Sequence, residues 1–366
     1  MDVSNPTINR DYWNGRRVLL TGHTGFKGSW LTVWLKTLGA QVIGYGLPPP
    51  TTPSLYELVC ASDGITSIIG DIRSFDLLKE TLREQRPEVV FHMAAQSVVR
   101  HSQEAPLETY TTNVIGTVNL LEAIRQLQLE CVVVIITSDK CYENRNSVWG
   151  YRETDPLGGH DPYSSSKACA ELVTAAFRDS YFTPGNAKKP SVVVASARAG
   201  NVIGGGDWTP YQLIPDIIRA FLDNRAVRLR NPDAVRPWQF VLEPLRGYLL
   251  LAERLSVDGS KFAEGWNFGP IPQDAKSVRC IAQLTSTLWG NDARWETDPG
   301  DHPYEAHLLR LDISKSTSRL GWSPKIRLDQ ALRWVVEWYK AFAEKEDLRE
   351  VTQSQIQRYE TLPAIE

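Results

Sequence analysis

Six short apolar runs, rich in β-branched residues, punctuate the first 200 positions: 18–20, 41–45, 68–69, 89–91, 132–136 and 192–195. Most are apolar without alternation, the pattern of parallel strands buried on both faces. Amphipathic stretches separate them. Leu31, Trp34, Leu35 and Leu38 keep the i, i+3, i+4, i+7 spacing of one helix face, and Gly39 follows as a stop signal. A longer helix is predicted over 108–126, with Val114, Thr117, Val118, Leu121 and Ile124 inward. This alternation predicts an α/β fold built on a doubly wound parallel sheet.

Beyond position 200 the texture changes. Gly204-Gly205-Gly206 predicts a flexible loop, and Pro210, Pro215, Pro232, Pro237 and Pro244 cut the chain into short elements. Helical patterns return over 215–224, 243–255, 277–289 and 328–344. Residues 1–200 are therefore expected to form one domain, and 201–366 a smaller α/β C-terminal lobe. The boundary is approximate, and the chain is free to cross back. A length of 366 residues suits roughly two domains.

Composition narrows the function classes. Forty basic against 43 acidic residues give a formal charge of −3, without the electrostatic footprint of a nucleic-acid binder. The longest unbroken apolar stretch, 131–136, is far short of the ~18 residues of a membrane span. The first residues carry neither a basic region nor an apolar core, so no signal peptide is expected. Five scattered cysteines form no CxxC pair and six histidines show no ligand spacing, so neither a disulfide framework nor a metal site is expected. A cytoplasmic protein fits best. Twelve tryptophans are unusual; Trp34 lies on a core stripe, whereas Trp208, Trp238 and Trp266 are candidates for a pocket wall, with core packing the plainer reading for each alone.

The chemistry begins at Thr21-Gly22-His23-Thr24-Gly25-Phe26-Lys27-Gly28, between the first strand and the first helix. Gly22 permits a tight turn, Gly25 lets backbone approach a pyrophosphate, and Gly28 lets helix and strand pack closely. The helix N-terminus favours the negative charge. This is a Rossmann-type dinucleotide loop, with a plain βα turn as the simpler alternative. The usual acidic ribose ligand after the second strand is replaced by Tyr45-Gly46-Leu47, yet no Lys or Arg occurs from 37 to 72. NAD is favoured, with Lys27 left as a conceivable partner for a 2′-phosphate. Asp71, with Ile72, is expected beside the adenine, or else caps a helix.

Tyr163 and Lys167 stand at i and i+4, on one helix face. A cation beside a phenol lowers a pKa of about 10 and lets it act as a base near neutrality. Thr137-Ser138-Asp139-Lys140 closes the longest buried strand, at the carboxyl end where open α/β sheets bind ligands. Each residue also has a plainer reading: Ser138 as a strand-end hydroxyl, Asp139 as a turn cap or partner of Lys140. His92 and Asn113 read as architectural.

These motifs, together with His92-Met93-Ala94-Ala95-Gln96-Ser97, resemble the extended short-chain dehydrogenase/reductases, over roughly residues 14–342. Longer strings resemble the CDP-glucose branch of the sugar-nucleotide 4,6-dehydratases more narrowly. They are Thr137-Ser138-Asp139-Lys140-Cys141-Tyr142-Glu143-Asn144, the run from Arg198 to Trp208, Arg236-Pro237-Trp238-Gln239 and Trp266-Asn267-Phe268-Gly269-Pro270. The resemblance implies oxidation of a nucleotide-linked glucose at carbon 4 by NAD, loss of water across carbons 5 and 6, and hydride return to carbon 6. It implies Tyr163 as base, Ser138 on the 4-oxygen, Asp139 as acid for the 6-hydroxyl, and Lys167 holding the nicotinamide ribose. Many relatives carry Asp-Glu where this chain has Asp139-Lys140, so Lys140 takes the position of the carbon 5 base, or steadies an enolate as a cation.

Ala94 and Ala95 are implied on the cofactor side. Gln96, Asn201, Arg230 and Arg236 are candidates for the substrate, since guanidinium forks suit diphosphates. The acidic turn over 298–303 stands where related enzymes often show an arginine. A homodimer is expected, paired through the helices over 108–126 and 164–182. Two other functions remain in play: a sugar-nucleotide 4-epimerase of the same fold, and a non-catalytic nucleotide-binding module.

Overall fold

The computed structural model describes residues 6–182, 192–290, 293–300 and 308–365. Six strands run in chain order: β1 (Arg17–Thr21), β2 (Gln41–Gly46), β3 (Thr66–Ile69), β4 (Val89–His92), β5 (Cys131–Ile136) and β6 (Val192–Ala199). With the strand Gly265–Phe268 they form one seven-stranded sheet, ordered (265–268)-β6-β5-β4-β1-β2-β3. Every pairing in it is parallel. All six expected strand runs lie inside β1 to β6.

The unbroken apolar runs have a direct explanation. Along β5, Val132, Val134 and Ile136 enter the core on one face, while Cys131, Val133 and Ile135 enter the core on the other. Helices cover both faces, so alternation has no solvent side to report. The order reverses between β1 and β4, which opens a crevice at their carboxyl ends. The glycine loop leaves β1 at that crevice.

Two expectations are corrected. The 108–126 helix is interrupted: Pro106–Tyr110 and Gly116–Leu127 are α-helical, and Thr111–Ile115 between them is a π-turn. That extra residue turns Val114 and Val118 partly outward, while Asn113 and Leu120 are buried. Gly204-Gly205-Gly206 is no flexible loop. A Cβ on Gly205 would lie 2.0 Å from the Trp338 ring, and Trp30 Nε1 donates to the Gly205 carbonyl at 3.0 Å. Tertiary contacts clamp what the local sequence leaves free. Trp208, Trp238 and Trp266 all lie in the core, as the plainer reading has it, and Trp238 also borders the cavity.

The chain also crosses back. The strand Gly265–Phe268 pairs with β6 over Ser196–Ala199, so residues beyond 200 complete the first sheet. Smaller two-stranded pairs, such as Val202–Ile203 with Gln239–Phe240, build the other wall of the crevice.

Candidate active site

A cavity of about 1260 Å³ runs along the crevice between sheet and C-terminal segments. At one end lies the glycine loop. Gly22 has φ +74°, and a Cβ there would stand 2.8 Å from the Ala94 nitrogen. On Gly28 a Cβ would stand 2.2 Å from the Gly22 carbonyl oxygen. Side chains at either place would push the turn apart. The helix Phe26–Thr37 begins at Gly25 with no side-chain cap, leaving its first N–H groups for an anion. Gly22, Thr24, Gly25, Phe26, Gly28, Asp71, Ile72, Ala94 and Ala95 all line this end. These residues fit a dinucleotide.

Other expected cofactor residues are placed differently. The His23 ring turns away from the cavity and lies against Gly44, with Nε2 2.8 Å from the Ser67 hydroxyl. Burial pushes its pKa down to about 4. Lys27 is not at the adenosine end either. Its ammonium is held down to about 8 by burial, and the carboxylates that oppose this are Asp139 and Asp207. It therefore faces the chemical centre, not a 2′-phosphate. The cation at the adenosine end is Arg73, one residue past the stretch free of Lys and Arg, bonded to Asp71 Oδ2 at 2.5 Å.

At the centre, β5 leads through Thr137 and Ser138 into a single 3-10 turn, Asp139–Cys141. The Ser138 hydroxyl caps that turn by accepting from the Lys140 N–H at 3.2 Å, and donates to Asp139 Oδ1 at 3.0 Å. It is also hydrogen bonded to the Tyr163 phenol. Tyr163 and Lys167 lie on the helix Pro162–Phe177, started by Pro162 and capped by Asp161, which accepts from the Ser164 N–H at 2.9 Å. The sequence-predicted catalytic set is thus brought together, and Ser138, Asp139, Lys140 and Tyr163 line the cavity.

Their electrostatics differ from the expectation. Burial pushes the Tyr163 phenol above its ordinary 10, opposed by the Ser138 hydrogen bond and reinforced by the charges of Asp139 and Asp161. The Lys167 ammonium instead donates to the Ile136 carbonyl at 3.3 Å. Its own pKa is pushed down to about 7 by burial and by Lys27. Spacing on a helix puts the two groups on one face; burial decides their protonation.

Asp139 is the other unusual group. It is 1% exposed, and its Oδ2 has no hydrogen-bond partner. Burial raises its carboxyl above the ordinary range, against the pull of Lys140, Ser138 and Arg236. A carboxyl whose pKa is raised beside a phenol and a hydroxyl is suited to donate a proton.

Among the substrate candidates, Asn201 lines the cavity with a buried, unpartnered Oδ1, and Arg236 faces Asp139 from the opposite wall. Arg230 lines the mouth and donates weakly to the Tyr211 carbonyl at 3.4 Å. Gln96 borders the cavity, but its amide is occupied: Nε2 donates to Thr109, and Oε1 accepts from the Val98 N–H. Asn113 grips the Gln96 backbone from both sides, and His92 bridges the Thr21 and Thr117 hydroxyls. Both are architectural, as expected. The acidic turn lies outside the described residues from position 301 onward. Among the described residues, no cluster of His, Cys, Asp or Glu has metal-binding geometry.

Three residues escaped the sequence reading. Glu171, one turn beyond Lys167, forms a buried ion pair with Arg198 of β6 at 2.8 Å. Asp207 faces Lys27. An arginine inside an otherwise apolar strand was the available signal for the first pair, since a buried charge must find a partner.

Comparison with known proteins agrees with this geometry. Residues 19–335 match the family described as GDP-mannose 4,6 dehydratase. The CDP-glucose 4,6-dehydratase of Salmonella typhimurium (strain LT2) is 55% identical over 352 residues, 96% of this chain and 98% of that protein. A dTDP-glucose 4,6-dehydratase of Xanthomonas campestris is 26% identical, over 88% of this chain and 92% of that one. Among solved structures, MoeE5 in complex with UDP-glucose and NAD superposes with a TM-score of 0.73 at 26% identity. That match covers 89% of this chain and 99% of MoeE5. The dTDP-glucose 4,6-dehydratase of Bacillus anthracis, solved with NAD, shares the fold: TM-score 0.75 at 23% identity, over 92% of this chain and 100% of that one.

Proposed function

The chain belongs to the GDP-mannose 4,6-dehydratase family, and we propose that it converts CDP-D-glucose to the 4-keto-6-deoxy sugar nucleotide with NAD as its cofactor. It is a hydro-lyase. NAD, when bound, accepts the hydride of carbon 4 and returns it to carbon 6. Tyr163, as its phenolate, takes the 4-hydroxyl proton, with Ser138 bonded to the same oxygen; the raised phenol pKa puts that form on the alkaline side. A ketone at carbon 4 acidifies the carbon 5 proton, and Lys140 is the residue read as its base, or as a cation steadying the enolate. Asp139 delivers a proton from Oδ2 to the departing 6-hydroxyl. Lys167 holds the nicotinamide ribose; Asn201, Arg230 and Arg236 serve the sugar diphosphate.

The observation that carries this reading is Asp139: buried, its pKa raised above the ordinary carboxyl range, and with one oxygen lacking a hydrogen-bond partner in the protein. A 4-epimerase leaves the 6-hydroxyl in place and has no use for such an acid. A pure nucleotide binder has no use for it either.

Residues 1–200 are read as the cofactor-binding domain and 201–366 as chiefly the substrate lobe. A homodimer is supported by adjoining helices that expose Leu107, Ile115, Leu172 and Tyr181, apolar groups that a partner would cover. The five cysteines are free, in keeping with the reducing cytoplasm.

The test is incubation with NAD and each of CDP-, dTDP-, UDP- and GDP-glucose. A ketone product carrying solvent deuterium at carbon 5, formed from CDP-glucose alone, is expected. A carbon 4 epimer without deuterium assigns an epimerase; no turnover of any nucleotide assigns a binder.

A further inference from the structure

Below the catalytic groups lies a buried polar network, which meets the cavity at Thr137 and Tyr142. Glu171 follows Lys167 by one turn of the same helix, and its carboxylate accepts from three directions. Oε1 takes the Thr137 hydroxyl. Oε2 takes the Ser196 hydroxyl at 2.6 Å and Arg198 Nη2 at 2.8 Å. Thr137 immediately precedes Ser138, so the carboxylate ties the end of β5 to the helix carrying Tyr163 and Lys167. The two charges are 3% and 6% exposed at the side chain.

The network continues through Arg198. Its Nη1 donates to the Tyr142 hydroxyl at 2.7 Å, and that hydroxyl donates to Asn267 Oδ1 at 2.7 Å. Asn267 Nδ2 in turn donates to the Tyr151 and Asp312 carbonyls at 2.8 and 3.0 Å. Asn267 lies on the returning strand Gly265–Phe268. One ion pair therefore connects the catalytic strand end, the catalytic helix and a segment from beyond position 200.

We propose that Glu171 and Arg198 are a positioning pair for the reaction, holding Ser138 and Lys167 in register and keeping a negative charge beneath the lysine. Only the name of the reaction rests on the dehydratase reading. A carboxylate replaced by hydrophobic packing would hold the same elements together, so the charge itself needs a reason. Lys167 supplies one. The groups that face it are Lys27 from the glycine-loop helix, His92 from β4, Cys141 from the 3-10 turn, and Glu171 on its own helix. Among the described residues that face it, Glu171 is the carboxylate. Burial and Lys27 drive the ammonium toward its neutral form, and Glu171 opposes them. Glu171 itself stays ionised because Arg198 and its hydrogen bonds outweigh the effect of burial.

The test is Glu171→Gln, beside the double variant Glu171→Gln with Arg198→Met, which leaves no unpaired charge. Two readouts are taken. In steady state on CDP-glucose, kcat falls about 10–100-fold with KM little changed, as a slightly displaced constellation requires. The alkaline limb of the kcat profile moves to lower pH by about one unit, because loss of the carboxylate makes Lys167 easier to deprotonate. Independently of turnover, ¹³C NMR of labelled lysine ε-carbons, with Lys167 assigned by its Met variant, shows the titration midpoint of Lys167 moving down. A folded variant with a wild-type midpoint overturns the proposal. So does loss of folding in both variants, since the pair would then serve the fold and not the reaction. Wild-type protein without turnover overturns the dehydratase reading alone, and the NMR arm still decides on the pair.

Discussion

Asp139 Oδ2 lies against Gly200: a Cβ on that glycine would stand 3.1 Å from the carboxylate oxygen and 2.7 Å from Pro237 Cγ. The acid's open side is thus bounded by a residue with no side chain. Gly200→Ala has to displace Asp139, Pro237 or both. The expected result is a loss of about 100-fold in kcat, the scale of an ångström-sized misplacement near reacting atoms. Steady-state kinetics against a thermal melt checks it; an active variant of native kcat shows that Asp139 has room to spare.

Asp139→Asn separates acid chemistry from oxidation. Without a proton donor for the 6-hydroxyl, dehydration falls by about 10²–10⁴-fold, the usual worth of a general acid. Formation of reduced cofactor from a stoichiometric pulse of substrate persists. In the native enzyme the rate falls on the alkaline side of the raised carboxyl pKa, since only the protonated form donates. Absorbance of the reduced nicotinamide, followed beside product formation, distinguishes the two steps.

The same group makes a prediction for stability. Its folded pKa lies above the unfolded value, so the folded state binds more protons between the two. That stabilising contribution is full below about pH 3.9 and is lost as pH rises through the raised value. At pH 7 the carboxylate is a cost that Asn does not carry. Asp139→Asn should melt about 1–3 °C above wild type at pH 7, with the gap closing on acidification toward pH 4. A lower melting temperature at pH 7 contradicts the assignment of a raised pKa.

How far the sequence carries can be judged from these residues. Runs such as 132–136 identify buried parallel strands because both faces are apolar, and the Tyr163–Lys167 spacing places two side chains on one helix face whatever surrounds them. The state of those side chains is another matter. The phenol's pKa goes up and not down, since burial among tertiary neighbours outweighs the Ser138 hydrogen bond that opposes it. Gly204-Gly205-Gly206 reads as flexible until Trp30 and Trp338 close on it. Lys27 sits in a loop motif whose other members bind cofactor, yet Asp139 and Asp207 are the carboxylates it faces. Glu171 was in plain view at i+4 from Lys167, but only β6 packing reveals Arg198 as its partner.

Leu172 is 58% exposed on the catalytic helix, and Leu107, 76% exposed, lies on the adjoining one. A stable interface covers at least about 1,000 Å² and excludes unpaired charge from its centre. Leu172→Asp is therefore expected to convert a homodimer to monomer in light scattering at micromolar concentration, leaving the melt of the monomer cooperative. A wild-type protein that scatters as a monomer removes this interface altogether.

Lys140 provides the sharpest test of the carbon 5 step. It is half-buried on the 3-10 turn, lines the cavity, and has its backbone fixed by the Ser138 hydroxyl at 3.2 Å. Removing the side chain leaves that N–H contact intact, so Lys140→Ala should preserve Ser138, Asp139 and Tyr163 in place. Carbon 4 oxidation then continues, while exchange of the carbon 5 proton with deuterium oxide slows by about 100-fold or more, the contribution expected of a positioned base. Mass spectrometry of the recovered sugar nucleotide measures the exchange directly. Native-rate exchange in Lys140→Ala takes Lys140 out of this step and leaves the proton to another group lining the cavity.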